Sequence, residues 1–345
     1  MLSAKTLGKV AATGIGLVVA VAGAGLGYLT LAKPEMRPPS AEIIERTPER
    51  LARGTYLTEH LLDCVGCHSE HDTTLFGVPE INGKAAGGFV FTRTLGLPGE
   101  IQPPNLTPDV ETGIGANTDG ELLRAIREGI GKRGQVLFPM MPYKELRGMS
   151  DEDVRSVIVY LRALPPVRKR TAPAQIDFPV NLFIRSVPAP VTEPVAAPDD
   201  ARDHLGYGAY LVRLAGCKGC HTAIDGHGQL VAGREFAGGR EFPMSWADGK
   251  LGPRVVTANI TTDPETGYFG RATKPEWIAR VRAYAPLSDP KEPRAKVAPG
   301  TATLMPWISF SGLTDQDLGA IYDFMKTVPP VRAKVSSFPD AKSTH

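Results

Sequence analysis

The chain has 345 residues, 42% apolar and 22% charged, with 39 Lys and Arg against 37 Asp and Glu. That length suits two ordinary domains, and the composition excludes a disordered or fibrous chain. The near-balance of charge excludes the broad basic field by which nucleic-acid binders work, so no nucleic-acid partner is expected.

From Val10 to Ala32 the chain runs 23 residues without a charge, between Lys9 and Lys33. That is enough helix to cross a bilayer. Lys5 and Lys9 before it predict a cytoplasmic N-terminus, with everything after Lys33 on the periplasmic side of the inner membrane. A cleaved secretory signal, with Ala20-Val21-Ala22 as its small-residue site, is the alternative; the length of the apolar run favours an uncleaved single-pass anchor. Both export the rest of the chain. Thr47-Pro48 then opens a first helix. Thr118-x-x-Glu121 and Thr273-x-x-Glu276 read as capping boxes opening two more. Ser150-x-x-Asp153 and Thr314-x-x-Asp317 start two further helices, which Pro165-Pro166 and Pro329-Pro330 stop. Val154, Val157, Ile158 and Leu161 recur at helical spacing, as do Leu318, Ile321, Tyr322 and Met325. No convincing alternating strand is legible. Residues 171–200 hold six prolines and read as an extended linker. Phe178, Leu182 and Phe183 are too apolar for it to be wholly free.

These elements come twice. Arg53-Gly54-Thr55-Tyr56-Leu57 is echoed by Tyr207-Gly208-Ala209-Tyr210-Leu211, and Ala86-Gly87-Gly88 by Ala237-Gly238-Gly239. Asn105-Leu-Thr-Pro-Asp with Glu111-Thr-Gly is echoed by Asn259-Ile-Thr-Thr-Asp with Glu265-Thr-Gly. Met141-Pro142-Tyr143 pairs with Met305-Pro306-Trp307, and the stretch from Asp153 to Arg168 with that from Asp317 to Arg332. The chain is a tandem duplication with loop insertions in the second copy.

All four cysteines fall in Cys64-Val-Gly-Cys67-His68 and Cys217-Lys-Gly-Cys220-His221. Cys-x-x-Cys-His is a c-type haem attachment pattern: two thiols reach the two vinyl groups of one porphyrin, and the next residue's imidazole falls under the iron. Three other chemistries use such cysteines. A thioredoxin-like dithiol wants a βαβ context, a zinc site wants both motifs in one place, and a disulfide needs no histidine. Two covalently bound haem c groups are therefore expected, with Cys64, Cys67, Cys217 and Cys220 attaching them and His68 and His221 as proximal ligands. Buried macrocycles also fill what would be thin cores in copies of this size. A thioether as sixth ligand raises the potential, and Met141 and Met305 are the matched candidates. Between Met140 and Met141 the repeat selects Met141, because it keeps the register to Asp153 and has the following proline. Of the spare histidines, His60, His71, His204, His227 and His345, only His71 or His227 could make a bis-His haem.

Together these motifs resemble class I c-type cytochromes, and more narrowly the multihaem cytochrome subunits of membrane-bound alcohol, aldehyde and gluconate dehydrogenases. The resemblance runs over residues 46–185 and 200–335. It implies an all-α fold, an N-terminal transmembrane helix followed by two tandem class I cytochrome c domains, in which Gly54 and Gly208 lie where first and last helices cross, near Tyr160 and Phe324. The expected division is an anchor and spacer over 1–45, a first haem domain over 46–170, a linker over 171–199, a second haem domain over 200–335 and a tail over 336–345. The expected function is single-electron transfer between a dehydrogenase or membrane complex and a soluble cytochrome or oxidase, with no catalytic residue. The rival is a dihaem enzyme such as a peroxidase or a thiosulfate dehydrogenase-like oxidoreductase, which needs an iron with an open or unusual axial position.

Overall fold

A computed structural model describes residues 33–226, 228–245, 251–297 and 303–339, with parts of 14–31. Helix α1, Pro48–Tyr56, starts on Thr47, whose hydroxyl accepts the Arg50 N–H, with Pro48 at the first helical position where no N–H is needed. It packs against α2, Asp151–Ala163, the last helix of the first half. In the second half His204–Leu214 packs against Asp315–Met325 in the same way. At both crossings the helices meet on glycine, as the resemblance implies. A Cβ on Gly54 would lie 1.9 Å from the Ser156 carbonyl oxygen and 2.9 Å from the Tyr160 Cβ, and one on Gly208 would lie 2.2 Å from that of Ala320 and 2.8 Å from the Phe324 Cβ. Both capping boxes form, at Thr118 with Glu121 and at Thr273 with Glu276. Ser150 and Thr314 accept the N–H groups of Asp153 and Asp317. The predicted apolar stripes supply the core: Val154, Val157, Ile158, Leu161, Leu318, Ile321 and Met325 are buried.

The echo from Gly54 to Gly208 is one residue longer than that from Cys64 to Cys217. Residues Leu57–Leu61 absorb the difference as a π turn, closed by the Leu62 N–H on the Leu57 carbonyl at 2.8 Å. The extra residue lengthens the helix by a bulge and leaves the haem motif in register.

The halves join by reciprocal contacts. Tyr56 donates to the Asp317 carboxylate and accepts the Thr314 N–H at 3.0 Å. Tyr210 donates to Asp153 at 2.5 Å and accepts the Ser150 N–H at 3.0 Å. Each tyrosine thus caps the N-terminus of the other half's last helix. From its own half each aspartate receives the residue that precedes the crossing glycine: Arg53 on Asp153 at 2.8 and 3.1 Å, Tyr207 on Asp317 at 2.9 Å. A Cβ on Gly312 would strike the His60 ring, and one on its counterpart Gly148 the Arg213 side chain, so the contact repeats with the halves exchanged.

Two expectations are corrected. The chain is not all-α: Glu70–His71 pairs with Glu80–Ile81, Gly99–Glu100 with Gln175–Ile176, and Glu241–Ser245 with Leu251–Val256, each antiparallel. Strands of two residues are too short to alternate, and in the third pair Pro243 and a register shift beside it hide the pattern. Nor is the expected N-terminal transmembrane helix shown. Among the described residues no helix is long and apolar enough to cross a membrane, and much of the predicted span over 10–32 lies outside them. The linker is half anchored: its strand Gln175–Ile176 joins the loop of the first half, and Arg93 holds Asp177 at 2.8 and 2.6 Å. Leu182 is buried there, whereas Phe178 and Phe183 are exposed.

Candidate haem-attachment sites

Cys64–His68 forms one turn of helix after Asp63, and Cys217–Cys220 forms another after Gly216, both preceding residues being in left-handed backbone. In each turn the cysteines stand three apart, on one side of the helix. All four thiols are free, with Cys64 and Cys217 partly buried and Cys67 and Cys220 exposed. Burial pushes the Cys64 and Cys217 thiols up to about 12. They are protonated thiols, unlike the depressed thiolates of redox dithiols. Among the described residues no three His, Cys, Asp or Glu side chains converge as a metal cage, which removes the zinc alternative there.

The histidines are fixed alike. His68 Nδ1 donates to the Pro104 carbonyl and His221 Nδ1 to the Ala258 carbonyl, each at 2.8 Å. This leaves Nε2 of each ring with its lone pair, the tautomer that binds iron. Burial lowers both pKa values, against a smaller rise from the carbonyl bonds, so the rings are neutral. His68 is only 8% exposed.

The repeated motifs brace these rings. The Gly87 N–H bonds to the His68 carbonyl and that of Gly238 to the His221 carbonyl, both at 2.8 Å. Only glycine fits at Gly88, where a Cβ would lie 2.0 Å from the Cys67 carbonyl oxygen. Asn105, next to Pro104, gives its amide to the carbonyls of Val167 and Lys169 and accepts from Thr107. Asn259 does the same with Val331, Ala333 and Thr261. The echoed Asn-x-Thr segments are thus clamps that tie the proline-rich exit of the last helix to the residue whose carbonyl aims the histidine.

Met141 and Met305 both pack against the hydrophobic core. Each carbonyl accepts, at 2.8 Å, the N–H of the aromatic residue two positions on, Tyr143 or Trp307, which opens the following short helix. Of the remaining histidines, His60 Nδ1 lies 3.1 Å from the Ser309 carbonyl, His71 Nδ1 lies 2.6 Å from that of Val78, and His204 bridges Asp200 and Asp323. His227 and His345 lie outside the described residues.

In each half two neutral thiols on one helical face and an imidazole with an unengaged Nε2 suit the attachment of a haem c. The ring-aiming carbonyls of Pro104 and Ala258 escaped sequence reasoning, although both stand just before the echoed asparagine. The capping tyrosines escaped it too, though their Gly-x-Tyr-Leu setting is repeated.

No protein-family model matches the chain. Most of the curated relatives it matches are named as cytochrome subunits or cytochromes, in agreement with the resemblance carried by the motifs. More particularly, the cytochrome c subunits of alcohol dehydrogenase (quinone) from Gluconobacter oxydans (strain 621H) and Komagataeibacter europaeus are 28% and 30% identical to it, over 81% of this chain and 55% and 56% of theirs. The diheme cytochrome c-type of Cereibacter sphaeroides is 29% identical over 66% of this chain and 73% of its own. The chain spans about half the length of the dehydrogenase subunits it matches.

Proposed function

We propose that the chain is a dihaem electron-transfer subunit, not an enzyme in its own right, passing single electrons from a dehydrogenase partner to an acceptor on the outer side of the cytoplasmic membrane. The observation that carries this is the duplicated site: neutral cysteine pairs followed by histidines whose Nδ1 is engaged at 2.8 Å and whose Nε2 is free. The names of its relatives, cytochrome c subunits of dehydrogenases, point the same way. Cys64 and Cys67 would attach one haem, with His68 and Met141 as ligands; Cys217 and Cys220 would attach the other, with His221 and Met305. The bound groups supply the ferrous-ferric couple. The protein's share is to hold each imidazole neutral and oriented, to present the thioether from a proline-stiffened loop, and to keep the two sites in one rigid frame. A Met-ligated haem has no open position for peroxide or a sulfur substrate, which favours the carrier reading over the enzyme one.

The test is intact mass with haem staining of the full chain matured in a cytochrome c-assembling host. Two haem additions per chain are expected, and one or none would overturn the reading. A chain with two haems that is not reduced when mixed with a substrate-supplied quinone-type dehydrogenase would overturn the dehydrogenase partnership.

A further inference from the structure

The two haem-motif turns share a backbone and carry opposite charges. In the first, Asp63 stands directly before Cys64 at φ 50°. Its carboxylate folds over the turn, so that a Cβ on Gly66 would lie 2.2 Å from Oδ2. Ser309, from the other half, donates to Oδ1 at 2.8 Å. In the second turn the residue before Cys217 is Gly216, at φ 68°, and the adjacent charge is Arg240, whose Nη1 donates to the Gly219 carbonyl at 2.5 Å. Gly219 is the repeat's counterpart of Gly66, so the same glycine bears a carboxylate in one half and a guanidinium in the other. The exchange is complete in sequence: Asp63 is replaced by Gly216, and Arg240 stands where the first half has Phe89, three residues after Ala86.

The fields at the thiols follow. The turn of Cys64 and Cys67 carries the Asp63 carboxylate against Gly66, and that of Cys217 and Cys220 carries the Arg240 guanidinium against Gly219. Of the lysines beside the turns, Lys169 pairs with Glu70 at 2.7 Å in the first half and Lys218 with Glu235 at 3.7 Å in the second. A negative charge stabilises the oxidised state of a neighbouring redox centre and a positive charge the reduced state. In a partly buried setting one unit charge at roughly 10 Å changes such an equilibrium about tenfold.

Resting on the haem reading above, we propose that Asp63 and Arg240 are the positioning charges that split the two haem potentials, the first site being the lower and the second the higher, so that electrons run from the first half to the second. In each transfer one electron leaves the first site, oxidising it, and reduces the second; no proton or atom moves. An external one-electron donor refills the first site, and an external one-electron acceptor empties the second.

The test is spectroelectrochemical titration of the full chain after intact mass has verified two haems; a chain lacking them would overturn the haem reading and this proposal with it. Two one-electron waves are expected. Asp63→Asn, which keeps an acceptor for Ser309, raises the lower wave. Arg240→Gln depresses the upper one. Each changes the interhaem equilibrium about tenfold, or about 59 mV for a one-electron couple. Glu265→Gln, which removes an exposed carboxylate paired with Arg332, moves neither wave. In protein with two haems, an Asp63→Asn change that falls on the upper wave or on neither would overturn the proposal, as would an equal response to Glu265→Gln. Should Asp63→Asn fail to fold, Arg240→Gln decides alone: an unmoved upper wave overturns it.

Discussion

Replacing Tyr56 or Tyr210 by Phe removes one hydroxyl and nothing else, yet each hydroxyl joins the halves through two bonds. Tyr56 gives a bond to the Asp317 carboxylate and takes the exposed Thr314 N–H at 3.0 Å. A bond to a charged group contributes about 1.5–3 kcal/mol, and the freed N–H turns to water at little cost, so Tyr56→Phe should destabilise by about that amount. At the other junction the Ser150 N–H is buried where it meets the Tyr210 hydroxyl. Stranding it adds about 1–3 kcal/mol, so Tyr210→Phe should cost about 2.5–6 kcal/mol in all. Neither aspartate is left alone, since Arg53 keeps Asp153 and Tyr207 keeps Asp317. At about 2–4 °C per kcal/mol for a chain of a few hundred residues, Tm should fall by roughly 3–12 °C for Tyr56→Phe and by roughly 5–24 °C for Tyr210→Phe. Thermal melts of the haem-loaded chain, followed at 222 nm, measure both. Equal losses in the two variants would refute the assignment of the larger cost to the buried Ser150 N–H. Losses below about 0.5 kcal/mol in both would remove the reciprocal caps from the account of how the halves hold together.

Other expectations follow from the same geometry. Met141→Ala should abolish the thioether-to-iron charge-transfer band of one haem and lower its potential while Met140→Ala leaves both in place; the reverse pattern would move the ligand to Met140. Gly54→Ala and Gly208→Ala force a Cβ to within 1.9 and 2.2 Å of a carbonyl oxygen in the crossing helix. Chemical denaturation should show losses at or above the top of the about 1–3 kcal/mol range for overpacking, and a wild-type midpoint in either would contradict the crossing. His204 bonds to Asp323 and Asp200, which raise its pKa. Its contribution is therefore complete below the ordinary histidine pKa and is lost as pH rises through the raised value. His204→Gln should flatten a small decline in Tm across that window, and an unchanged slope would show that the bridge does not titrate there.

What could be read in advance was what local chemistry fixes. Thr118 and Glu121, like Thr273 and Glu276, sit three apart and satisfy each other's backbone, so the helix starts are legible without knowing the fold. Cys64, Cys67 and His68 are equally local. The glycines of the helix crossings were legible through family resemblance, since nothing in the sequence near Gly54 announces Ser156 or Tyr160. The caps from Tyr56 to Asp317 and from Tyr210 to Asp153 cross between the copies, 261 and 57 residues apart, and no spacing rule reaches that far. The Glu241–Ser245 strand was hidden by its proline, and the paired strands of two residues hold too little chain to show a period. The apolar run over 10–32 shows that length and hydropathy describe what a segment could do and leave open what the folded chain does with it.

The exchange of caps between the halves also bears on ancestry. When a contact runs from residue i of one unit to j of another and is returned from i to j, it has the symmetry of a two-fold homodimer. Tyr56 with Asp317 and Tyr210 with Asp153 obey that rule, as do His60 with Gly312 and Arg213 with Gly148. A single-copy precursor would thus have been self-complementary before the gene doubled. Once joined, the copies were free to diverge at positions such as Asp63 and Arg240, which identical subunits of a dimer could never have told apart.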